Sequence, residues 1–367
     1  MRVVPRAAPR VEESRAIRTI RTLGAVKHLR APSPDELRTL VAAREGETRI
    51  GQRAAALVPG APPPKGARVA LVGVPEDIGV RANLGRPGTR RMWSAFLPRF
   101  LNMQSNAFLD GAAVVVAGTV DVRDLRRATR GIDPSGLGPR SRADALDVLR
   151  RATAELDGRV ASTVESLRRA GLVPVVVGGG HNNSYGILAG CAAAAGCAMR
   201  CVNVDLHADL RPREGRHSGN GFTYALADGH LGRYAVVGMS EAYATEAIVD
   251  AVREDERIAA WTFESMLRAG TPPRQAALAA AAHVGRGPTT IELDLDAVAG
   301  APASAAAASG FTGAEFRSMA TALASALDVH AVHLAEGAPA LGPWPAEMLG
   351  KLCAEVVRDV TAAIVSR

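Results

Sequence analysis

The chain has very little lysine and few aromatic residues. Lysine occurs at only three of the 367 positions, yet the formal net charge is +7 because arginine is abundant. The arginines are scattered along the sequence and are not interleaved with aromatic residues, unlike those of a nucleic-acid-binding stripe. We therefore expect no nucleic-acid partner.

Cysteine is also scarce, and long apolar runs are missing. The four cysteines form no CxxC pair and no even spacing, which favours reduced thiols over a disulfide scaffold. No stretch approaches the roughly 18 consecutive apolar residues of a membrane-spanning helix. The arginine-rich N-terminus also lacks the apolar run of a secretory signal. We expect a cytoplasmic protein with no membrane partner.

Short apolar runs alternate with amphipathic segments over most of the chain. VALVGVP (69–75) and VPVVVGGG (173–180) are almost wholly apolar, which is typical of strands buried on both faces. Apolar residues at helical spacing separate such runs, most clearly over 142–170. The alternation predicts an α/β fold for residues 67–367, with three αβα layers and a mostly parallel central sheet.

Residues 1–66 have a different character. Apolar residues recur at helical spacing in 14–29 and 35–44, and the proline-rich stretch PGAPPPKG follows at 59–66. These features predict a partly helical N-terminal extension that a linker joins to the α/β domain.

Six residues with metal-binding side chains lie where three predicted strands end. They belong to the segments GGGH, DLHAD and DLD and are His181, Asp205, His207, Asp209, Asp294 and Asp296. Side chains two residues apart on an extended strand point the same way, so each segment can direct its ligands to one point. Ligands of open α/β sheets bind at the carboxyl ends of the strands. Four carboxylates and two imidazoles at that edge suit a pair of divalent cations bridged by carboxylates.

A phosphate loop and a solvated turn are the alternatives for these segments. The glycines of GGGHNNSYG could cradle an anion, but the segment matches neither GxGxxG nor GxxxxGK[ST]. DLHAD could form a solvated turn, but buried carboxylates on adjacent strand ends would repel one another strongly without a cation. We therefore favour the metal site.

The three segments, in this order, resemble the arginase (ureohydrolase) family, which includes arginases, agmatinases and formimidoylglutamases. The family pattern is GG-x-H, D-x-H-x-D and D-x-D, and all six ligand positions are filled here. VGVPEDIGVRANLGRPGTRR (72–91), EGRHSGNGF (214–222) and HLAEGAPALG (333–342) make the chain most similar to formimidoylglutamase-like members. The resemblance implies an arginase-like catalytic domain, a homo-oligomer, and two Mn²⁺ ions or Ni²⁺ or another divalent metal in their place.

The resemblance also implies a role for each ligand. One manganese would be held by His181, Asp205, Asp209 and Asp294, and the second by His207, Asp205, Asp294 and Asp296. A hydroxide between two ions about 3.5–4 Å apart is a nucleophile at neutral pH. It would attack the amidine-type carbon of a small linear amidine or guanidine.

The resemblance favours N-formimidoyl-L-glutamate as the substrate, with glutamate and formamide as the products. Two alternatives remain open at this point. One is an agmatinase-like or other guanidino-acid hydrolase that releases urea. The other is a non-catalytic metal-binding homologue.

Candidate substrate-binding residues lie beside the metal segments. Glu336 stands where the family places a carboxylate that binds the guanidinium or formimino group. Arg211, Asn182, Asn183 and Asn220 are the candidates for contacts with the rest of the substrate. Ion pairs and helix caps are the corresponding structural alternatives.

The candidate catalytic residues are Asp209 and His217. The proton-shuttling histidine of arginases would fall at Phe222, so that role is not filled in place. His217 lies in the same loop and could act as the general acid, although it could equally be an ordinary loop histidine. We expect His333, which lies on the strand before Glu336, to pack in the core.

Overall fold

The inner strands of the central sheet are rich in Val, Ala and Leu, and most of their side chains are buried on both faces. The computed structural model describes residues 28–367, and ten strands within them form one sheet. The strands are β1 (Leu29–Arg30), β2 (Ala55–Ala56), β3 (Val69–Gly73), β4 (Val114–Val120), β5 (Val173–Val177), β6 (Met199–Val204), β7 (Leu231–Val237), β8 (Ile258–Trp261), β9 (Pro288–Asp294) and β10 (Asp328–Ala335).

Helices connect most of these strands. They are α1 (Pro34–Thr39), α2 (Ile50–Arg53), α3 (Ile78–Ala82), α4 (Met92–Leu101), α5 (Arg123–Ala128), α6 (Pro139–Arg169), α7 (Asn183–Ala195), α8 (Gly221–Ala227), α9 (Glu246–Glu254), α10 (Phe263–Ala269), α11 (Pro273–Val284), α12 (Gly313–Ala326) and α13 (Ala346–Val365). None of the helices in residues 28–367 is long and apolar enough to cross a lipid bilayer.

The strand order is β1-β4-β3-β5-β10-β9-β6-β7-β8, and β2 also pairs with β4. Every described pair is parallel except the short pairing of β1 with β4. The carboxyl ends of β5, β10, β9 and β6 therefore lie side by side in the middle of the sheet. This is the edge at which the sequence predicts the metal ligands.

Helices cover both faces of the sheet. One apolar core joins the sheet to α4, α11, α12 and α13, and a second joins it to α3, α6, α7 and α8. Helix α7 can approach α6 closely because Gly186 has no side chain. A Cβ at this position would lie only 2.7 Å from the carbonyl oxygen of Asp157. A larger residue at this position would push the two helices apart.

The predicted alternation of strands and helices holds along most of the chain, but α4 is missed. This helix contains Pro98, which lacks a backbone N–H and is disfavoured inside helices. Its apolar side nevertheless packs through Phe96 and Phe100 into the first core. Tertiary burial thus outweighs the local cost of proline.

The described part of the predicted N-terminal extension belongs to the sheet. β1 and β2 both pair with β4, and Ile50 and Leu57 are buried in the cores. Helix α1 begins one residue before the predicted segment 35–44 and ends inside it. The helix predicted over 14–29 falls outside the described residues except for its last two, of which Leu29 begins β1.

Phe96 tests the contribution of the first core to stability. Its side chain is fully buried, and its ring centroid lies 5.7 Å from that of Trp93 and 5.5 Å from that of Phe100. We expect Phe96→Ala to lower the free energy of unfolding by about 3–5 kcal/mol, because it removes buried apolar area and leaves a cavity. Denaturant unfolding followed by circular dichroism measures this change.

Phe108→Ala is the matched control, because the Phe108 side chain is 80% exposed. We expect it to change the free energy of unfolding by no more than about 0.5 kcal/mol. Equal effects of the two substitutions would contradict the described packing.

Candidate metal centre

Four adjacent strands deliver acidic and imidazole side chains to one edge of the sheet. β6 is followed directly by Asp205, β9 ends on Asp294, and β10 is followed by Glu336. β5 is followed by the three glycines that precede His181. All four of these side chains are at most 3% exposed. Parallel strand order therefore converts residues far apart in sequence into one cluster.

The first group of ligands surrounds Nδ1 of His181. This atom lies 3.2 Å from Oδ2 of Asp205, 3.0 Å from Oδ2 of Asp209 and 3.0 Å from Oδ2 of Asp294. Ligand atoms about 3 Å apart are what metal–ligand bonds of about 2.1 Å at right angles require. Both ring nitrogens of His181 also lack a hydrogen-bond partner of acceptable geometry among the described residues. The donor set fits a divalent cation.

The second group is more open. Nδ1 of His207 lies 3.4 Å from Oδ1 of Asp205 and 3.9 Å from Oδ2 of Asp296. Asp205 thus presents one oxygen to each histidine, as a bridging carboxylate would. The His207 side chain is 32% exposed and its ring stacks on Tyr243, with centroids 5.8 Å apart. These contacts fit a second cation nearer to solvent.

Burial and crowding of the acids make the cluster unfavourable without cations. Burial, reinforced by the charge of Asp205, raises the pKa of Asp294 to about 7. Burial, reinforced by Asp294, holds the pKa of Asp296 well above its ordinary value. Bound cations would favour the ionised carboxylates and remove this repulsion.

Two of the cluster residues adopt a backbone conformation that is uncommon outside glycine. Asp209 has φ 49° and Glu336 has φ 63°, in the left-handed region. Each such residue costs on the order of 1–2 kcal/mol. Surrounding contacts hold Glu336, because its backbone N–H donates to the Gly179 carbonyl oxygen at 3.1 Å. Strain at these two positions is consistent with a role in a site.

The glycine turn before His181 is supported by Glu76, a role that the sequence does not reveal. Oε1 of this buried carboxylate accepts hydrogen bonds from the Gly180 N–H and from Nδ2 of Asn183, both at 2.9 Å. Oε2 accepts from the Ile78 N–H at 2.6 Å. Glu76 therefore ties the start of α3 to the turn that carries His181. Its position in VPEDIG offered no sequence signal beyond an acid after a strand.

A cavity of about 760 Å³ is lined by part of this cluster. Its acidic lining residues are Asp209, Asp294, Asp296 and Glu336. Its other polar lining includes Asn83, Arg211 and Ser218. Its apolar lining includes Met239 and Ile248, and the ring of Tyr243. Tyr243, Asn83 and Ser218 were not singled out from the sequence because they lie on loops without a distinctive spacing.

Glu336 has one carboxylate oxygen that is held and one that is not. Oε1 accepts a hydrogen bond from the His181 N–H at 2.6 Å, whereas Oε2 is buried and has no partner among the described residues. Burial, reinforced by Asp296, raises the pKa of Glu336 to about 8. An amidinium or guanidinium in the cavity would satisfy Oε2 and stabilise the ionised form.

The three predicted asparagines do not line this cavity. Nδ2 of Asn182 and Nδ2 of Asn183 point to Glu76. Asn220 is fully buried and bonds Arg216 and the backbone of its own loop. Their contacts are those of loop-supporting residues, so their positions do not favour the predicted contact with substrate.

His217 is also turned away from the cavity. Its side chain is fully buried, Nδ1 accepts from the Gly219 N–H at 3.1 Å, and Nε2 lies 3.2 Å from Oε1 of Glu214. Burial and the nearby Arg150 lower the pKa of His217 to about 4. These contacts do not favour the predicted role of general acid. Phe222, at the position of the arginase shuttle histidine, is buried with its ring edge-to-face against His181.

Comparison with known proteins identifies the family of the chain. The arginase family model matches residues 67–362. The chain belongs to the arginase family.

Among curated relatives, the formimidoylglutamase of Nocardia farcinica is 33% identical over 211 residues, which are 55% of this chain and 56% of the relative. That of Rhodococcus jostii is 31% identical over 191 residues, 50% of this chain and 51% of the relative. The chain spans about half the length of the curated relatives it matches.

Solved structures of the arginase fold superpose on most of the chain. The formiminoglutamase of Trypanosoma cruzi with Mn²⁺ has a TM-score of 0.68 at 20% identity and covers 88% of this chain and 100% of its own. The formimidoylglutamase of Bacillus subtilis has a TM-score of 0.69 at 15% identity and covers 88% and 94%. At these identities the likeness shows the fold, and the predicted three-layer α/β architecture is confirmed.

The crowded acids predict how the stability of the metal-free protein depends on pH. Asp294 and Glu336 have pKa values of about 7 and 8, above those of free carboxyl groups, so the folded state binds more protons than the unfolded state. Asp205 and the other acids raise the pKa of His207 to about 10 against the cost of its burial, and this shift acts in the same direction. The free energy of unfolding should therefore fall as pH rises from about 6.5 to 8.

Thermal unfolding of chelator-treated protein over this pH range measures the effect. Added MnCl₂ should raise the unfolding temperature, and the rise should grow with pH because the ligands must be deprotonated. A metal-free unfolding temperature that increases with pH would contradict the described cluster.

Proposed function

We propose that this protein is a manganese-dependent hydrolase that converts N-formimidoyl-L-glutamate to glutamate and formamide. The observation that carries the proposal is the convergence of His181, Asp205, Asp209 and Asp294 within ligand distance, below a cavity that contains a buried acceptor of Glu336. Formimidoylglutamases among the curated relatives support the substrate class. We also propose a cytoplasmic homo-oligomer, as expected from the sequence.

The residues divide into those that hold cations and those that hold the substrate. His181, Asp205, Asp209 and Asp294 would hold the first ion, and His207 and Asp296 would complete the second site. Two bound cations supply Lewis acidity and a hydroxide nucleophile at neutral pH. The remaining chemistry depends on how the chain orients the amidine carbon and delivers a proton.

Glu336 orients the reacting group. Its free Oε2 can accept an N–H of the formimino group while Oε1 stays fixed by the His181 N–H. A charge-assisted bond from a planar amidinium fixes the plane of that group as well as its position. The amidine carbon is thereby presented to the metal ligands below it.

Asp209 is our candidate for proton transfer to the leaving nitrogen. It lines the cavity, and its Oδ2 lies 3.0 Å from Nδ1 of His181 within the first ligand group. His217, the other candidate from the sequence, is buried in its loop and faces Glu214. Proton transfer requires hydrogen-bond reach to the substrate, and Asp209 lines the cavity that would hold the substrate whereas His217 does not.

Arg211 is our candidate for binding a substrate carboxylate. It is the only arginine or lysine among the described residues that line the cavity. Nη1 donates to Oδ1 of Asn83 at 3.0 Å, and the side chain is 51% exposed, so it can turn toward a ligand. Ser218 and Asn83 offer further hydrogen-bonding groups on the same wall.

The presence of one arginine, Arg211, in the cavity lining also favours a second candidate substrate class. N-Formimidoyl-L-glutamate carries two carboxylates, and only one of them can pair with Arg211. A guanidino acid with one carboxylate would need no further cation and would release urea. The two candidates differ in product, so one assay separates them.

The direct test is turnover of a substrate panel by MnCl₂-loaded protein. We expect formamide and glutamate from N-formimidoyl-L-glutamate and less than one-tenth of that rate for guanidino monocarboxylic acids, a discrimination of about 1.4 kcal/mol. Urea from a guanidino acid as the main product would favour the second class. No turnover of any member by protein with two bound ions would overturn the enzymatic proposal.

Asp205→Asn tests the dependence of turnover on the metal ligands. We expect kcat/KM to fall by more than about 100-fold. Substitution of a residue that only hydrogen-bonds to a metal ligand already lowers metal affinity or activity 10- to 100-fold. Asp144→Asn is the matched control, since Asp144 is exposed on α6 and far from the ligand segments in sequence. Equal activity of the two variants would show that Asp205 is not a metal ligand in this site.

Arg211→Ala tests recognition of the substrate carboxylate. Loss of a charged hydrogen bond should raise KM about 10- to 100-fold, with a smaller change in kcat. Arg213→Ala serves as the control, because Arg213 lies two residues away and does not line the cavity. An unchanged KM in Arg211→Ala would place the carboxylate elsewhere, for example on Ser218 and Asn83.

A further inference from the structure

A buried carboxylate and a second histidine stand directly behind His181. Oε2 of Glu292 lies 3.4 Å from Nε2 of His181 and 2.7 Å from Nδ1 of His333. All three side chains are at most 1% exposed. Glu292 and His333 do not line the cavity, so the proposed reaction gives them no direct contact with substrate.

The sheet places the two residues side by side. Glu292 on β9 and His333 on β10 are register partners in the parallel pairing of these strands. Glu292 also precedes Asp294 by two residues, so alternation along the strand directs both acids to the same face. An acid and a histidine buried among Val, Ile and Leu are costly unless each has a partner. Glu292 and His333 meet this need for each other, and the carboxylate also faces His181.

The hydrogen-bond roles follow from the chemistry of the groups. A carboxylate oxygen accepts hydrogen bonds, so Nδ1 of His333 donates to Oε2 of Glu292 at 2.7 Å. Nε2 of His181 faces the same oxygen at 3.4 Å, which favours a proton on Nε2 and leaves the lone pair of Nδ1 facing Asp205, Asp209 and Asp294. This is the tautomer that a metal ligand requires.

His333 also contacts the turn that carries His181. Its Nε2 lies 3.4 Å from the carbonyl oxygen of Gly178, the first of the three glycines. The Gly178 N–H in turn donates to the carbonyl oxygen of Leu334 at 2.9 Å. The ring of His181 is thus held through Glu292, and its turn is held through the backbone beside His333.

The other metal-binding histidine has no such support. Within residues 28–367, His207 pairs with acids only through Nδ1, and its side chain is 32% exposed. Its described ring contact is the stack on Tyr243. The two halves of the centre therefore differ in how firmly their imidazoles are held.

We propose that Glu292 and His333 are a positioning pair that fixes the tautomer and orientation of His181 and so sets the affinity of the first metal site. The inference rests on the proposed two-metal function. Glu292 and His333 should therefore affect the affinity of the first metal site and not that of the second.

Calorimetric titration of chelator-treated protein with MnCl₂ tests this assignment without an activity readout. Glu292→Gln keeps the shape of the side chain but removes the charge, and His333→Leu removes the donor to Glu292. We expect each to weaken binding of one manganese ion 10- to 100-fold and to leave the other within about threefold of the wild-type protein.

His333→Asn is the conservative rescue. The amide nitrogen of asparagine can occupy the place of Nδ1 and donate to Glu292, so affinity for the first ion should lie nearer the wild-type value than in His333→Leu. Thr290→Val is the matched control, because Thr290 is equally buried on β9 and lies two residues from Glu292. It should bind both ions as the wild-type protein does.

The outcomes separate this inference from the proposed function. Wild-type affinity for both ions in folded Glu292→Gln and His333→Leu would overturn the positioning role. Equal weakening of both ions would also overturn it, because general loosening of the fold would then be the cause. If the wild-type protein binds no manganese, the two-metal function itself fails.

Discussion

Repulsion among buried carboxylates is the constraint on which the rest of this structure depends. The parallel strands β6, β9 and β10 end side by side and bring Asp205, Asp209, Asp294, Asp296 and Glu336 close together. Burial in an apolar sheet denies these acids the water that would stabilise their charges. Divalent cations resolve the conflict, and their binding energy would offset the strained backbone of Asp209 and Glu336.

Rigid and adjustable parts of the site come from different elements. Strand ends supply the candidate metal ligands, Glu76 ties the His181 turn to α3, and Glu292 on β9 faces the His181 ring. Loops supply Arg211 and Tyr243, which are more exposed and line the cavity. The proposed metal chemistry would thus be built on the sheet, and the proposed contact with the substrate carboxylate on a loop that can vary.

The parallel sheet and the gathering of six candidate ligands at one edge of it could be predicted from the sequence because both depend on local patterns. Apolar runs mark the strands, and DLHAD and DLD carry their ligands at strand spacing. Buried polar partners were harder to predict. Glu292 stands in an apolar run with no visible partner, and His333 was expected only to fill the core. Asn182, Asn183, Asn220 and His217 were candidates by proximity in sequence, yet their side chains point into the scaffold, a direction that spacing does not encode.

Anomalous X-ray diffraction at the manganese absorption edge, from crystals grown with MnCl₂, tests the central claim most directly. The account predicts two anomalous peaks per chain, about 3.5–4 Å apart, one beside Nδ1 of His181 and one beside Nδ1 of His207. Asp205 should lie between them. A fully occupied crystal with a single peak, or with no peak at these residues, would contradict the two-metal centre.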